Sequence, residues 1–251
     1  MANIPQSIAK RLGYTLIKTD KINNDGDLPD PIFENIYQEC QPYTMTSRAR
    51  MKGLYNAVKY VVERNIPGDI VECGVWRGGS SMLAALTLLE IGATQRLLYL
   101  YDTYEGMTEP TEHDVDFKGN TAQELLNAEQ NHDDDQDNIW AYASIDIVRR
   151  NLFSTGFAED QMMLIKGPVE ETIPETMPDQ ISILRLDTDW YASTYHELVY
   201  LYPKLAPGGV LIIDDYGHWN GSRKAVDQYF SENDAILLHP LDYSGRIGVK
   251  A

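Results

Sequence analysis

Four aspartates occupy two short motifs late in the chain, Leu186-Asp-Thr-Asp-Trp-Tyr191 and Ile213-Asp-Asp-Tyr216. Each motif follows an apolar run, so we expect the four carboxylates at the ends of two neighbouring strands. Such charges repel one another unless a cation or protons lie between them. Oxygen ligands without His or Cys suit Mg²⁺ or Mn²⁺ rather than zinc. The pattern predicts a divalent metal site, although one or two of these residues could be simple helix N-caps.

A glycine-containing turn, Glu72-Cys-Gly-Val-Trp-Arg-Gly-Gly-Ser80, links a predicted strand to a predicted helix. Glycines let the backbone approach a ligand, and the helix N-terminus offers free N–H groups to a carboxylate. The spacing matches neither G-x-x-x-x-G-K-[ST] nor G-x-G-x-x-G, so phosphate binding is not indicated. Asp102 ends the next predicted strand, where a carboxylate can accept both hydroxyls of a ribose. The two features indicate an adenosine-bearing cofactor without a pyrophosphate.

Strands that alternate with helices would position these motifs. This alternation predicts an α/β fold with a parallel sheet and helices on both faces, which binds ligands beyond the carboxyl ends of its strands. The predicted strands are 69–74, 96–102, 162–166, 181–187 and 209–215, followed by a hairpin of 235–240 and 246–250. The predicted helices are 44–64, 80–91, 143–153, 194–205 and 221–231.

The bulk properties exclude several classes of protein. A net charge of −17 over 251 residues disfavours nucleic acid as a partner, because phosphates repel such a surface. No apolar run approaches the ~20 residues of a membrane span, and no stretch typical of a secretory signal begins the chain. We therefore expect a cytoplasmic protein in which Cys40 and Cys73 are buried free thiols. One domain is expected over 43–251, preceded by an N-terminal arm over 1–42, and the helix over 44–64 together with this arm could mediate a homodimer.

An acidic insert follows the second predicted strand. Between Glu109 and Asp137 there are ten acidic residues and one basic residue. We interpret the segment over about 107–140 as a lid that orders over the substrate. A solvated, disordered loop is the alternative. His218 and Trp219, just after the second aspartate pair, are expected to be loop packing rather than substrate contacts.

Four motifs together resemble the macrocin/mycinamicin O-methyltransferase family, from about Thr44 to the C-terminus. They are Pro67-Gly-Asp-Ile-Val-Glu-Cys-Gly-Val-Trp-Arg-Gly-Gly79, Asp102-Thr-Tyr-Glu-Gly106, Leu184-Arg-Leu-Asp-Thr-Asp189 and Tyr202-Pro-Lys-Leu-Ala-Pro-Gly-Gly-Val-Leu-Ile-Ile-Asp-Asp-Tyr216. The resemblance implies the class I methyltransferase Rossmann-like fold, a mostly parallel seven-stranded sheet with a C-terminal antiparallel hairpin. It also implies S-adenosylmethionine as methyl donor and a hydroxyl of a sugar or glycosylated natural product as acceptor.

The resemblance also implies roles for single residues. Asp187, Asp214 and Asp215 match the metal ligands, and Asp189 matches the general base that takes the proton of the activated hydroxyl. The matched cofactor-binding residues are Thr44, Met45, Glu72, Gly74, Trp76, Arg77, Gly79, Ser80, Asp102, Gly167 and Asp187. The acidic insert varies within the family, so the identity of the acceptor is not implied.

Other functions share part of this pattern. A metal-dependent glycosyltransferase uses a D-x-D motif, but the glycine turn and Asp102 would then have no role. A haloacid-dehalogenase-type phosphatase normally carries its aspartate pair after the first strand, whereas Asp187 and Asp189 come late. A scaffold protein has no need to hold four repelling carboxylates together. Within the methyltransferases, a catechol or phenol acceptor stays open because vicinal phenols chelate a metal equally well.

Overall fold

The computed structural model describes residues 30–128 and 139–251. The chain divides into two compact units, Met1–Asn35 and Ile36–Ala251, and the second unit contains the whole sheet. The boundary at residue 42 stays a prediction. No helix in the described ranges is long and apolar enough to cross a membrane.

Seven described strands form one sheet in the order β3-β2-β1-β4-β5-β7-β6. The first five are mutually parallel, and β7 is antiparallel to both of its neighbours, β5 and β6. The strands are β1 (Asp69–Cys73), β2 (Leu98–Asp102), β3 (Met162–Lys166), β4 (Ile181–Leu186), β5 (Leu205–Ile213), β6 (His239–Pro240) and β7 (Arg246–Val249). Numbered over the described residues, the helices are α1 (Pro31–Cys40), α2 (Arg48–Glu63), α3 (Gly79–Glu90), α4 (Ala122–Ala128), α5 (Ile145–Phe153), α6 (Val169–Thr172), α7 (Tyr191–Leu201) and α8 (Asn220–Glu232).

Helices cover both faces of the sheet, as the alternating pattern predicts. On one face α2, α3 and α5 pack together, and on the other α6, α7 and α8 pack together. Alternate strand residues such as Val71, Leu184 and Leu211 enter the core under α7 and α8. The central strand β4 is buried at all six positions, which explains its continuous apolar run apart from Ser182 and Arg185. Cys40 and Cys73 are buried free thiols, as expected.

Two predicted helix starts were wrong by several residues. The helix over 44–64 begins at Arg48, because the Ser47 side chain caps it by accepting a hydrogen bond from the Arg50 N–H at 3.2 Å. The freed residues Thr44–Thr46 become part of a cavity wall. The helix over 194–205 begins at Tyr191, because its N-terminal N–H is bonded by a carboxylate far away in the sequence, that of Asp114 at 2.7 Å.

Strand boundaries also differ slightly. Strand β2 starts at Leu98 and not at Arg96, whose guanidinium turns away to donate to the Ile66 carbonyl at 2.7 Å. Strands β4 and β5 end one and two residues earlier than predicted, so the aspartates follow the strands rather than ending them. The first hairpin strand is only His239–Pro240, and Pro240 has no N–H to give to the ladder.

Candidate active site

A cavity of about 710 Å³ lies at the carboxyl ends of the parallel strands. Its wall includes the glycine turn after β1, the residue that ends β2, and the two aspartate motifs after β4 and β5. The cavity therefore brings together the two groups of motifs that the sequence singled out. Trp219, which packs edge-to-face on Trp190 at 4.9 Å, and His218 also line the cavity, so they are not loop packing alone.

Three carboxylates converge at the bottom of the cavity. One oxygen from each of Asp187, Asp214 and Asp215 lies within 4.8 Å of the others. Asp214 and Asp215 are buried, and Asp187 keeps a quarter of its side chain exposed. The Oδ2 atom of Asp215 has no hydrogen-bond partner among the described residues. A buried acceptor without a donor is costly, so this position suits a proton or a cation.

Arg185 supports this cluster from inside strand β4. Its Nη1 contacts Glu72 Oε1 at 2.6 Å and Asp187 Oδ2 at 2.7 Å, and its Nη2 contacts Asp214 Oδ1 at 2.7 Å. Nη2 also donates to the Thr46 hydroxyl at 2.8 Å. A planar guanidinium can satisfy several acceptors at once, which an ammonium cannot do in the same geometry. Arg185 had no predicted role, although a lone arginine inside an apolar strand is a signal for one.

Arg50 holds the cluster from the side of helix α2. Its guanidinium pairs with Asp214 and, at 3.1 Å, with Asp242 of the β6–β7 turn. Asp242 in turn accepts a hydrogen bond of 2.5 Å from the Ser47 hydroxyl. The two arginines thus compensate part of the negative charge and fix the orientation of Asp214 from both sides.

The pKa values of the buried carboxyls reflect this crowding. Burial, reinforced by the charge of Asp187, raises the pKa of Asp189 to about 7. Burial also raises the pKa of Asp214 to about 6, although Arg185 and Arg50 oppose it. Burial and the charge of Asp189 raise the pKa of Asp215 well above its usual range. Each raised pKa reflects carboxyl charges that repel one another, so a cation or a proton stabilises the cluster.

Asp189 sits in a backbone conformation that needs external support. Its φ of 65° is in the left-handed region, which Asp tolerates better than most residues. The preceding Thr188 donates its hydroxyl to the Oε1 of Glu197 at 2.9 Å, which ties this segment to helix α7. Left-handed residues persist where the surroundings hold them, and they are frequent at functional sites.

The glycine turn passes directly against the first aspartate motif. Gly74 has a φ of 84°, and a Cβ there would lie 1.9 Å from the carbonyl oxygen of Asp187. The Asp187 N–H donates to the Cys73 carbonyl at 2.8 Å, so the two segments are fastened together. Glycine is required at position 74 both for its φ and for this close approach.

We expect Gly74→Ala to lower the free energy of unfolding by roughly 3 kcal/mol, because it combines left-handed strain with a backbone clash. Gly92→Ala is the matched control. Gly92 has a φ of 68°, but a Cβ there meets nothing within 4 Å, so only about 1 kcal/mol of strain is expected. Urea unfolding of both variants measures the difference. Equal decreases in the free energy of unfolding for the two variants would contradict the close approach of Gly74 to the Asp187 carbonyl.

Asp102 organises the glycine turn. Its Oδ2 accepts the N–H groups of Val75 at 2.7 Å and Trp76 at 2.9 Å, and its Oδ1 accepts the Tyr104 N–H at 2.7 Å. Burial raises its pKa, and these backbone donors oppose the shift. A ribose would share this carboxylate with the backbone of the turn, so Asp102 has a structural role that the sequence did not indicate.

Most of the predicted cofactor-binding residues line the cavity. They are Thr44, Met45, Gly74, Trp76, Ser80, Asp102, Gly167 and Asp187. Trp76 adds a buried indole N–H with no partner among the described residues, which leaves a donor for a ligand. Glu72, Arg77 and Gly79 are not among the lining residues.

The three residues outside the cavity lining have other contacts. Glu72 accepts from Arg185 and from the Ser81 hydroxyl. Gly79 lets the 43–44 backbone come close, since a Cβ there would lie 2.6 Å from the Tyr43 carbonyl oxygen. The Arg77 guanidinium lies 5.5 Å from the Tyr43 ring centroid. These residues support the wall from behind, and a direct cofactor contact for them stays a prediction.

The described part of the acidic insert is packed against the site. Asp114 is fully buried, and its carboxylate bonds the N–H of Tyr191 at the start of α7 and the hydroxyl of Thr111 at 2.8 Å. A fully solvated loop would not bury such a group, so the burial of Asp114 favours the lid interpretation, which stays a prediction. The most acidic part of the insert, residues 132–137, lies outside the described residues.

Comparisons with known proteins identify the family and the fold. The family model described as "Macrocin-O-methyltransferase (TylF)" matches residues 38–245. An enzyme of Streptomyces olivaceus, 8-demethyl-8-(2,3-dimethoxy-alpha-L-rhamnosyl)-tetracenomycin-C 4'-O-methyltransferase, is 35% identical over 82% of this chain and 69% of its own length. Mycinamicin III 3''-O-methyltransferase of Micromonospora griseorubida is 30% identical over 74% of this chain and 70% of its own. The solved structure of the O-methyltransferase NovP has a TM-score of 0.72 and 29% identity, covering 83% of this chain and 82% of that one.

The strand order and the cavity at the carboxyl ends of the strands define a class I methyltransferase with the Rossmann-like fold. The chain belongs to the macrocin O-methyltransferase family. It is therefore an S-adenosylmethionine-dependent O-methyltransferase, and the glycosyltransferase interpretation of the D-x-D motif is not supported.

Proposed function

We propose that the protein transfers a methyl group from S-adenosylmethionine to a hydroxyl of a sugar, with a divalent metal at Asp187, Asp214 and Asp215 and with Asp189 as general base. The observation that carries the proposal is the convergence of these carboxylates beside the glycine turn in one cavity. The names of the relatives from Streptomyces and Micromonospora, which act on glycosylated natural products, support a sugar as acceptor.

The residues present fit a divalent cation such as Mg²⁺ or Mn²⁺. Hard carboxylate oxygens within 4.8 Å of one another are the donors that such ions prefer, and the buried Asp215 Oδ2 lacks any other partner among the described residues. The arginines at positions 50 and 185 keep Asp214 and Asp187 oriented before an ion arrives. When bound, such an ion lowers the pKa of an acceptor hydroxyl and orients its oxygen.

Asp189 takes the proton from that hydroxyl. A carboxylate of ordinary pKa ~4 is a weak base, whereas burial raises the pKa of Asp189 to about 7, closer to what proton transfer at neutral pH requires. The Thr188–Glu197 hydrogen bond holds the segment that presents the carboxylate. The deprotonated oxygen then attacks the sulfonium methyl, and the C–S bond breaks as the C–O bond forms.

The residues around the glycine turn fit the methyl donor. Trp76 and Asp102 both line the cavity, and the Trp76 indole N–H is a buried donor without a partner among the described residues. The segment that starts at Gly167 lines the part of the wall where we propose the adenine lies. Thr44 and Met45 line the same cavity in front of α2, in keeping with the proposed closure over the cofactor.

The insert over about 107–140 is proposed to act as a lid. The buried Asp114 anchors its first part to helix α7, two residues from Asp189. We expect S-adenosylhomocysteine and acceptor together to protect the insert from limited proteolysis, because the lid closes over both. Cleavage at the same rate with and without the ligands would contradict this role. A homodimer and a cytoplasmic location stay predictions.

Binding and transfer assays test the proposed function. Isothermal titration should detect S-adenosylhomocysteine binding and should detect no comparable binding of UDP-glucose. A methyl-transfer assay over glycosides, free sugars and phenols, with and without Mg²⁺, should give product with a sugar acceptor and the ion. Transfer to catechols alone would favour the phenol alternative. No transfer to any member of the panel, together with no binding of S-adenosylhomocysteine, would contradict the proposal.

A further inference from the structure

Glu197 is a buried carboxyl group that takes no part in the proposed chemistry. It lies on helix α7 and is fully buried, which is rare for a glutamate without a charged partner. Its Oε1 accepts the hydroxyl of Thr188 at 2.9 Å, whereas its Oε2 has no hydrogen-bond partner among the described residues. A buried polar group that is only half satisfied requires an explanation beyond packing.

The surroundings of Glu197 favour its neutral form. Burial raises the pKa of its carboxyl well above the usual range, and the hydrogen bond from Thr188 opposes the shift. The charges of Glu170, Asp187 and Asp189 reinforce the shift. As a neutral acid, Glu197 still offers an acceptor oxygen to the Thr188 hydroxyl, and it adds no further negative charge beside the aspartates.

The position of Thr188 gives this hydrogen bond its importance. Thr188 separates Asp187, a proposed metal ligand, from Asp189, the proposed base, and all three line the cavity. The Thr188 carbonyl accepts the Trp190 N–H at 2.7 Å. Thr188 is therefore held at its carbonyl by the start of α7 and at its side chain by Glu197 of the same helix.

Loss of the acceptor at Glu197 would release the Thr188 side chain. A threonine hydroxyl without this partner can bond to a neighbouring backbone group instead, and the segment would then change its conformation. Asp189 is sensitive to such a change, because its φ of 65° persists only while the surroundings hold it. Relaxation toward an ordinary φ would move the carboxylate, so fewer molecules would hold the base in the reactive position.

We propose that Glu197 is a positioning residue, which acts through the Thr188 hydroxyl to keep Asp189 where it takes the proton of the acceptor hydroxyl. This inference rests on the proposed general-base role of Asp189 and deepens it. Glu197 does not line the cavity, so it acts without touching the cofactor or the acceptor. The role requires an acceptor oxygen at position 197 and requires no negative charge there.

Kinetics of methyl transfer to p-nitrophenyl α-L-rhamnoside in the presence of Mg²⁺ test this role. Thr188→Val keeps the shape of the side chain without its hydroxyl, and Glu197→Leu removes the acceptor, so each should lower kcat about tenfold. The double variant should lower kcat no further, because both changes break the same hydrogen bond. Glu197→Gln keeps an acceptor oxygen and should retain most of the wild-type kcat. The KM for S-adenosylmethionine should stay within about twofold of the wild type throughout.

Thr87→Val is the matched control for the loss of a buried hydroxyl. Thr87 is fully buried, and its hydroxyl donates to the Leu83 carbonyl at 2.6 Å. It lies on α3 and does not line the cavity. Thr87→Val should therefore leave kcat unchanged, even though it removes a hydrogen bond of the same kind.

Hydrogen–deuterium exchange gives a second readout that needs neither metal nor acceptor. Backbone amides in the peptide that contains residues 187–191 should exchange about tenfold faster in Thr188→Val and in Glu197→Leu, because the segment opens more often. Glu197→Gln and Thr87→Val should exchange at the wild-type rate over the same residues.

Several results would overturn the inference. A kcat unchanged by Thr188→Val, decreases in kcat that multiply in the double variant, or a decrease for Glu197→Gln as large as that for Glu197→Leu would each do so. Equal exchange over residues 187–191 in all the proteins would do so as well. Failure of the proposed function would look different, since the wild-type protein would transfer no methyl group. The exchange measurement would still decide whether Glu197 holds the segment.

Discussion

Asp189→Asn should lower kcat for methyl transfer by about 10²–10⁴-fold, because the variant cannot accept the proton of the acceptor hydroxyl. Asn has the size of Asp and tolerates the left-handed backbone that position 189 adopts, with its φ of 65°. The segment should therefore keep its conformation, and the affinity for S-adenosylhomocysteine should stay close to that of the wild type. Single-turnover kinetics and isothermal titration measure the two quantities separately.

Asp146→Asn is the matched control for this substitution. Asp146 lies on α5 with 82% of its side chain exposed, and it pairs only with Arg149 among the described residues. Asp146→Asn should therefore leave kcat unchanged. If Asp189→Asn lowers kcat by less than about threefold, the decrease is far smaller than loss of a general base would cause. That result would contradict the role of Asp189 as general base. A parallel loss of cofactor binding would instead indicate that the substitution had disturbed the cavity.

Arg185→Met should lower the free energy of unfolding by about 3–5 kcal/mol, because it leaves buried carboxylates without their shared partner. The guanidinium contacts Glu72, Asp187 and Asp214 within 2.7 Å, and its side chain is 3% exposed. Burial, with the charge of Asp187, raises the pKa of Glu72 to about 7 against the opposing charge of Arg185, so loss of the Arg185 charge would favour protonated carboxyls. Urea unfolding of the protein measures the loss.

Two variants control for the size and the charge of the side chain. Arg149→Met removes an exposed arginine that pairs with Asp146 at 3.0 Å and should change the unfolding free energy by less than about 0.5 kcal/mol. Arg185→Lys keeps the charge, but an ammonium cannot reach all three acceptors. Its decrease in the free energy of unfolding should therefore lie between those of Arg149→Met and Arg185→Met. A change below about 1 kcal/mol for Arg185→Met would contradict the central role of this arginine.

The position of the candidate site could be predicted from the sequence because parallel strands present their carboxyl ends at one edge. The glycine turn after β1, Asp102 and the two aspartate motifs all follow such strands, and all line one cavity. The strand positions followed from short apolar runs between turn residues. The alternation of strand and helix was therefore sufficient to bring these motifs together.

The contacts that hold the site could not be predicted in this way. Arg50 meets Asp214 across 164 residues, and Asp114 caps helix α7 across 77 residues. Periodicity describes one element at a time and contains no information on such pairs. The charge of the insert likewise suggested exposure, but Asp114 and Asp116 are buried because each accepts several local hydrogen bonds. The number of charged residues in a segment does not show which carboxylates have enough hydrogen-bond donors around them to be buried.

The most direct test of the account is the initial rate of methyl transfer from S-adenosylmethionine to p-nitrophenyl α-L-rhamnoside after removal of divalent ions. The converging carboxylates of Asp187, Asp214 and Asp215 predict that EDTA-treated protein is inactive and that Mg²⁺ or Mn²⁺ restores the rate. Asp215→Asn should prevent this recovery, because it replaces a proposed ligand. A rate in EDTA equal to that in Mg²⁺ would contradict the metal site.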